Sequence, residues 1–74
     1  MMSSSKLPVK SGLEVVKALT KVGFIVRKAK GSHVVLQRGN NFVVVPMHKE
    51  LKRGMLLEII RESGMTREEF LSLF

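Results

Sequence analysis

The chain has 74 residues, enough for one small domain with a single core and little room for a deep cleft. Thirteen Lys and Arg against six Glu and no Asp give a net charge of +7, which suggests a polyanionic partner, most often nucleic acid. The absence of cysteine excludes disulfide scaffolds, zinc–thiolate sites and thiol nucleophiles, and it fits a reducing cytoplasm. No apolar run approaches the roughly 20 residues of a membrane span, so we expect a soluble cytoplasmic protein.

Residues 1–5 form a polar lead that we expect to be flexible and that lacks the apolar stretch of a signal peptide, while residues 6–74 form a single domain. A capping box marks the first helix, because Ser11 can act as N-cap and Glu14 can reach back to it. The helix runs for about three turns and ends before Gly23, where a residue with positive φ is expected.

Three segments rich in β-branched and apolar residues follow, and short polar turns separate them. The strands are predicted over residues 24–29, 33–38 and 42–45, with turns at residues 30–32 and 39–41. Because the connections are short, the three strands should form an antiparallel meander.

A second helix is predicted to begin near Arg53 or Gly54 and to end at Gly64, and a second capping box at Thr66 opens a short terminal helix. The predicted fold class is therefore α+β, in the order α-β-β-β-α with a short C-terminal helix. The helices that precede and follow the three strands in the sequence should pack on one face of the sheet and leave the other face open.

Two histidines are the candidates for acid–base chemistry. His33 opens the central strand, and an imidazole can donate or accept a proton near neutral pH. His48 lies in the loop after the third strand, where it could bind a phosphate. Their spacing matches no general motif, so residue types alone favour ordinary exposed histidines. Ser32 is excluded as a nucleophile activated by His33, because adjacent strand residues point to opposite sides of a sheet.

The cations form two groups that have no acid close by, apart from Glu50 in the loop before the second helix. Placing cations at a helix start does not stabilise the helix, so phosphate binding explains the second group better than capping does, although a solvated surface remains an alternative. The scattered acids make a metal site improbable, and no cofactor is expected. The first group comprises Arg27, Lys28 and Lys30, and the second Lys49, Lys52 and Arg53.

The four phenylalanines give little support for nucleic-acid stacking. Phe24, Phe70 and Phe74 are predicted to lie in the core. Phe42 is predicted to pack in the core or at its edge, with base stacking as the alternative if the free sheet face binds single strands.

The chain carries an ordered set of short motifs, namely Lys6-Leu7-Pro8, Gly23-Phe24, Gly31-Ser32-His33, residues 43–48, 50–52 and 56–60, Gly64, and residues 66–70. In this order, the motifs resemble the HicA (YcfA-like) family of mRNA interferase toxins. The resemblance covers essentially residues 6–73, and it implies a fold like that of double-stranded-RNA-binding domains. One departure is Arg53, where many relatives would have Pro.

The resemblance implies a toxin of a toxin–antitoxin pair, namely an endoribonuclease that cleaves mRNA and is inhibited by a HicB-type antitoxin. The scattered acids add the expectation that this cleavage needs no metal ion. The resemblance assigns catalysis to His33, the histidine of the Gly-Ser-His motif. The nucleophile would be the 2′-hydroxyl of the RNA itself, and His33 would transfer a proton. Leu13 and Leu57 could contact the antitoxin, although packing at the core edge is favoured for both. The residues expected to bind RNA or its phosphates are Lys28, Lys30, Ser32, His48, Lys52 and Arg53.

Two alternatives belong to other functional classes. A non-catalytic RNA-binding module with the same fold would bind RNA without cleaving it. A subunit that only pairs with an acidic protein would explain the charge of +7 without any RNA.

Overall fold

The computed structural model describes residues 7–74, which form three helices and one antiparallel sheet. The elements are α1 (Gly12–Lys21), β1 (Ile25–Lys30), β2 (His33–Arg38), β3 (Asn41–Pro46), α2 (Arg53–Ser63) and α3 (Arg67–Leu71). The predicted order and fold class are confirmed. β1 begins and ends one residue later than predicted, so that Lys30 belongs to the strand and not to the turn, and β3 is one residue longer at each end. The lead predicted over residues 1–5 lies outside the described residues.

The helix ends follow from their capping residues. The Ser11 hydroxyl accepts a hydrogen bond from the Glu14 N–H at 3.1 Å, and the Glu14 carboxylate accepts one from the Ser11 N–H at 2.9 Å. Thr66 and Glu69 make the same reciprocal pair at the start of α3. α2 has no side-chain cap at its N-terminus, and it ends at Gly64, whose φ of 77° is left-handed.

One face of the sheet carries the core, because alternate residues of β2 and β3 point towards the helices. The sheet order is β1-β2-β3, so β2 is central. Leu36 of β2 and Val43 and Val45 of β3 are fully buried against α1, α2 and α3. The core consists of Val15, Leu19, Phe24, Leu36, Val43, Val45, Leu51, Leu56, Ile59, Ile60 and Phe70.

Three residues lie further from the core than predicted. Phe74 is 42% exposed, and its ring packs against Phe70 beneath the ammonium of Lys10, so its placement in the core was wrong. Phe42 is 53% exposed, because side chains alternate along β3 and that of Phe42 points away from the helices. Leu13 is exposed on α1, whereas Leu57 is half-buried.

Both long helices begin at the same end of the sheet. At the start of α1, the Gly12 N–H donates to the His48 carbonyl at 2.9 Å, and at its end the Val22 carbonyl accepts from Arg38, the last residue of β2. α2 follows β3 after the connection at residues 47–52 and runs back along the strand, so that the Glu62 carbonyl near its end accepts a hydrogen bond from Asn41, the first residue of β3.

We call the end that carries both helix starts the histidine end, since β2 also begins there at His33. It comprises the turn at residues 31–32, the end of β3, and residues 47–53. Hydrogen bonds tie these segments together: the Ser32 carbonyl accepts from the Met47 N–H, and the Lys10 carbonyl accepts from the Leu51 N–H at 2.8 Å. Hydrogen bonds therefore connect the histidine end both to the sheet and to the segment before α1.

α1 approaches the end of β3 and the loop after it closely at Gly12. A Cβ added there would lie 2.8 Å from the Cα of Met47 and closer still to the carbonyl oxygen of Pro46. The neighbouring atoms are backbone, so they have no side-chain rotation with which to move away. The close approach of α1 to the loop that carries His48 requires glycine at this position.

Candidate functional site

The sheet face opposite the helices is uncovered in the part of the chain that the structure describes, except at Pro46, which is fully buried. Residues that pair across antiparallel strands share a face, so the strand register arranges this open face in three rows. We call them the histidine row, the middle row and the phenylalanine row. They consist of Lys30, His33 and Pro46; of Lys28, Val35 and Val44; and of Ile25, Gln37 and Phe42.

An irregularity in β1 decides which cations reach the open face. The register shifts by one residue between Val26 and Lys28, so Arg27 is the extra residue of a β-bulge. Beyond the bulge, Lys28 and Lys30 pair with open-face residues, while the small Ala29 pairs with Val34 on the core side. Without the bulge, the two lysines would point towards the core.

His33 is exposed and lies directly opposite Lys30. Side chains in such cross-strand positions have their Cβ atoms about 5 Å apart, so the imidazole and the ammonium can reach the same phosphate. Ser32 is exposed in the preceding turn, next to Gly31 with its φ of 59°. The structure therefore brings Lys30, Ser32 and His33 together, with Lys28 one row away.

His48, Lys52 and Arg53 lie at the same end of the molecule but past the end of the sheet. All three are exposed. His48 is two residues beyond Pro46, the strand partner of His33, which places its Cα within about 13 Å of the Cα of His33. Lys52 and Arg53 start α2 in the helix layer, so they flank the open face and do not lie on it.

The electrostatics of the histidine end are positive. Within residues 7–74 the ion pair joins Arg61 to Glu58, far along α2, so the candidate cations have no carboxylate partner there. The Arg61 hydrogen bond holds the pKa of Glu58 below its usual value. At the start of α1, the Ser11 N–H lowers the pKa of Glu14 in the same sense.

Arg38, in contrast to the candidate cations of the described chain, has structural partners. Arg38 donates to the Val22 carbonyl at 2.9 Å and stacks over the Phe24 ring, with its guanidinium carbon 4.6 Å from the ring centroid. Glu62 comes close to the open face, but its carboxylate lies at the edge of β3, where it accepts a hydrogen bond from the Val44 N–H. The open face therefore carries cations without an acid among its nine residues.

Residues 7–74 contain no group of three or more His, Cys, Asp or Glu side chains placed to hold a metal ion. Over the same residues, no helix has the length and apolar character needed to cross a membrane.

Sequence reasoning missed two features of the site. Strand alternation would have placed Phe42 on the open face, since Val43 and Val45 were recognisable as its buried neighbours. The bulge at Arg27 has no comparable signal, because nothing in the residue types of β1 marks where the extra residue lies.

The comparison with protein families links this site to a known class of protein. A family model described as the HicA toxin of bacterial toxin–antitoxin systems matches residues 12–65, from the start of α1 to just past the end of α2. The matched range contains the whole sheet and both histidines. A search of curated proteins gives no significant match. The match spans well over half of the chain, and the protein therefore belongs to the HicA family of toxins, for which an antitoxin partner is implied.

Proposed function

We propose that this protein is an endoribonuclease that cleaves mRNA without a metal ion, uses His33 as its acid–base group, and is inhibited by a HicB-type antitoxin. The observation that carries the proposal is the exposed pair of His33 and Lys30 on an open, acid-free sheet face. Membership of a toxin family supports a destructive activity towards a cellular polyanion, and RNA is the polyanion that brings its own nucleophile.

The chemistry that fits this small inventory is internal attack by the ribose. The 2′-oxygen forms a bond to the adjacent phosphorus, and the bond from phosphorus to the 5′-oxygen breaks. The 2′-hydroxyl loses a proton and the 5′-oxygen gains one, so the products carry a 2′,3′-cyclic phosphate and a 5′-hydroxyl. His33 transfers one of these protons, a contribution of about 10²–10⁴ in rate.

The cations stabilise the negative charge that builds on the phosphate. Lys30 is close enough to His33 to contact the same phosphate. At the scissile phosphate, the charge of Lys30 lowers the activation barrier of cleavage most. Lys28 binds a neighbouring phosphate from the middle row. Ser32 and His48 contribute hydrogen bonds at the histidine end.

Lys52 and Arg53 bind the RNA backbone beyond the scissile phosphate. They begin a helix that has no acid in its first turn and no side-chain cap, so its free N–H groups favour an anion. Bacterial mRNA is translated in the cytoplasm, which is where the proposed toxin and its antitoxin would act.

The products and the substrate requirement test this chemistry directly. An oligoribonucleotide incubated with the protein in EDTA should yield 2′,3′-cyclic phosphate and 5′-hydroxyl ends. A single 2′-deoxy substitution should protect only the bond that follows it. Products with a 3′-hydroxyl and a 5′-phosphate, a requirement for divalent ions, or equal cleavage of DNA would each overturn the proposed mechanism.

One observation favours a second candidate, an RNA-binding module without catalysis. Among residues 7–74, no hydrogen bond orients the His33 side chain, whereas catalytic histidines are commonly held by a second group. This candidate predicts that the protein retains RNA on a filter but leaves it intact even when protein exceeds RNA.

A further inference from the structure

We propose that single-stranded RNA crosses the open face from His33 to the phenylalanine row, and that Phe42 stacks on a base a few nucleotides from the scissile phosphate. This inference rests on the proposed function, because it takes the scissile phosphate to lie at His33. It adds a binding residue and a strandedness requirement that the catalytic proposal does not contain.

The first support is the exposure of an aromatic ring on a flat surface. Phe42 is 53% exposed although its neighbours in β3, Val43 and Val45 on the other face, are fully buried. Its cross-strand neighbour Gln37 donates a hydrogen bond to the Gly39 carbonyl at 2.8 Å, which anchors that side chain at the turn. The ring is therefore fixed by a strand and left free to stack.

The second support is the separation of polar and apolar residues across the sheet. Both lysines of the open face, Lys28 and Lys30, belong to β1, which also carries Ile25, whereas the open-face residues of β3 are all apolar. A single strand of RNA has the same two-sided character, with phosphates along one edge and bases along the other. Laid along the sheet, its phosphates follow β1 while its bases lie over β3.

The third support is the distance. The phenylalanine row is four residues along β2 from His33, which corresponds to about 13 Å. An extended RNA strand covers this distance in a few nucleotides, and it passes Lys28 of the middle row on the way. A duplex could not use this path, because its base faces are already stacked within the helix and cannot meet the Phe42 ring.

The absence of acids on the open face favours a polyanion over a neutral apolar partner. An antitoxin with acidic residues has the right charge, but it requires no alignment of Phe42 with a particular base. The experiment below separates these two occupants.

Binding is measured in the His33→Ala protein, so that RNA stays intact, by the fluorescence anisotropy of a labelled single-stranded oligoribonucleotide. Adding Phe42→Ala should weaken binding by about 5- to 150-fold, the loss of one stacked base. Phe42→Trp should retain tight binding, and Phe42→Leu should not. Phe74→Ala is the matched control, since this ring is also partly exposed but packs in the helix layer, and it should leave RNA binding unchanged. Circular dichroism checks that each variant is folded.

The decisive arm replaces single bases of the oligonucleotide by abasic sites. One abasic position should weaken binding to the protein with Phe42 but cause no further loss in Phe42→Ala, because both changes remove the same stacking contact. Losses that add at every position would overturn the proposal. So would equal effects of Phe42→Ala on single-stranded and double-stranded RNA, or weakened antitoxin binding with unchanged RNA binding.

The result does not depend on cleavage, so failures of the two proposals are distinguishable. Normal RNA binding by Phe42→Ala together with His33-dependent cleavage would contradict the stacking proposal alone. Base-specific coupling at Phe42 in a protein that never cleaves RNA would contradict the endoribonuclease proposal alone.

Discussion

At the scale of single residues, the site depends on the pairing of Lys30 with His33. These residues come from neighbouring strands and meet only because the bulge at Arg27 turns Lys30 to the open face. An imidazole can move one proton at a time, so a cation beside it has to stabilise the charge that the proton transfer does not neutralise.

Replacing Lys30 by alanine should therefore lower kcat/KM for RNA cleavage by about ten- to a hundredfold, because the charge on the phosphate loses its nearest partner. Lys21→Ala is the matched control, since it removes the same charge at the far end of α1. Steady-state cleavage of a fluorescent oligoribonucleotide measures both variants. Equal losses in the two would indicate that net charge matters and the position of Lys30 does not.

The site residues differ in how far they could be predicted from the sequence. No residue type or spacing around His33 distinguishes it from an ordinary strand histidine, and only the resemblance of the Gly31-Ser32-His33 motif to a known family singled it out. Phe42 was predicted to pack in the core or at its edge, with base stacking as the alternative. Its exposure follows from strand register, a long-range property that local residue type does not specify.

At the scale of elements, the ends of helices and strands were predictable because short-range chemistry fixes them. The capping boxes at Ser11 and Thr66 form as predicted, and Gly64 ends α2 with positive φ. The contact between α1 and the loop after β3 was not predictable, since it joins residues far apart in the sequence. The bulge in β1 was likewise not predictable from the sequence.

Gly12→Ala tests that contact. Alanine favours helix over glycine by about 1 kcal/mol, but its Cβ would clash with the backbone of Pro46 and Met47, so we expect net destabilisation of about 1–3 kcal/mol. Urea unfolding measures the change. Gly54→Ala is the control, because a Cβ there meets no atom within 4 Å, and stability should stay constant or rise by up to about 1 kcal/mol. Equal effects of the two substitutions would contradict the close approach at Gly12.

The capping box of α1 gives the fold a dependence on pH. Hydrogen bonding from the Ser11 N–H lowers the pKa of Glu14 from its reference value of 4.5, so its carboxylate stabilises the folded state above that value. This stabilisation is lost as the pH falls through the lower, folded-state pKa.

Glu14→Gln should therefore lower Tm at pH 6, and the difference from the wild type should shrink as the pH is reduced towards 3. Thermal unfolding followed by circular dichroism at several pH values measures this difference. A difference that stays constant over that range would show that the carboxylate charge does not contribute to capping.

At the scale of the whole molecule, the charge of +7 is distributed so that the open sheet face carries no acid and Glu50 is the one acid of the histidine end. Both long helices begin at the histidine end, and the partial positive charge of each N-terminus adds to that of the side chains there. In α1 the capping box with Glu14 offsets this charge, whereas in α2 no acid does so. The fold thus concentrates positive potential where the scissile phosphate is proposed to bind.

The role of His33 is tested most directly by RNA cleavage in EDTA, with wild-type protein and His33→Ala purified side by side and matched for folding by circular dichroism. We expect the wild type to cleave and His33→Ala to be slower by about 10²–10⁴, while its affinity for RNA changes little. Cleavage by His33→Ala at the wild-type rate would contradict the assignment of His33 as the acid–base group.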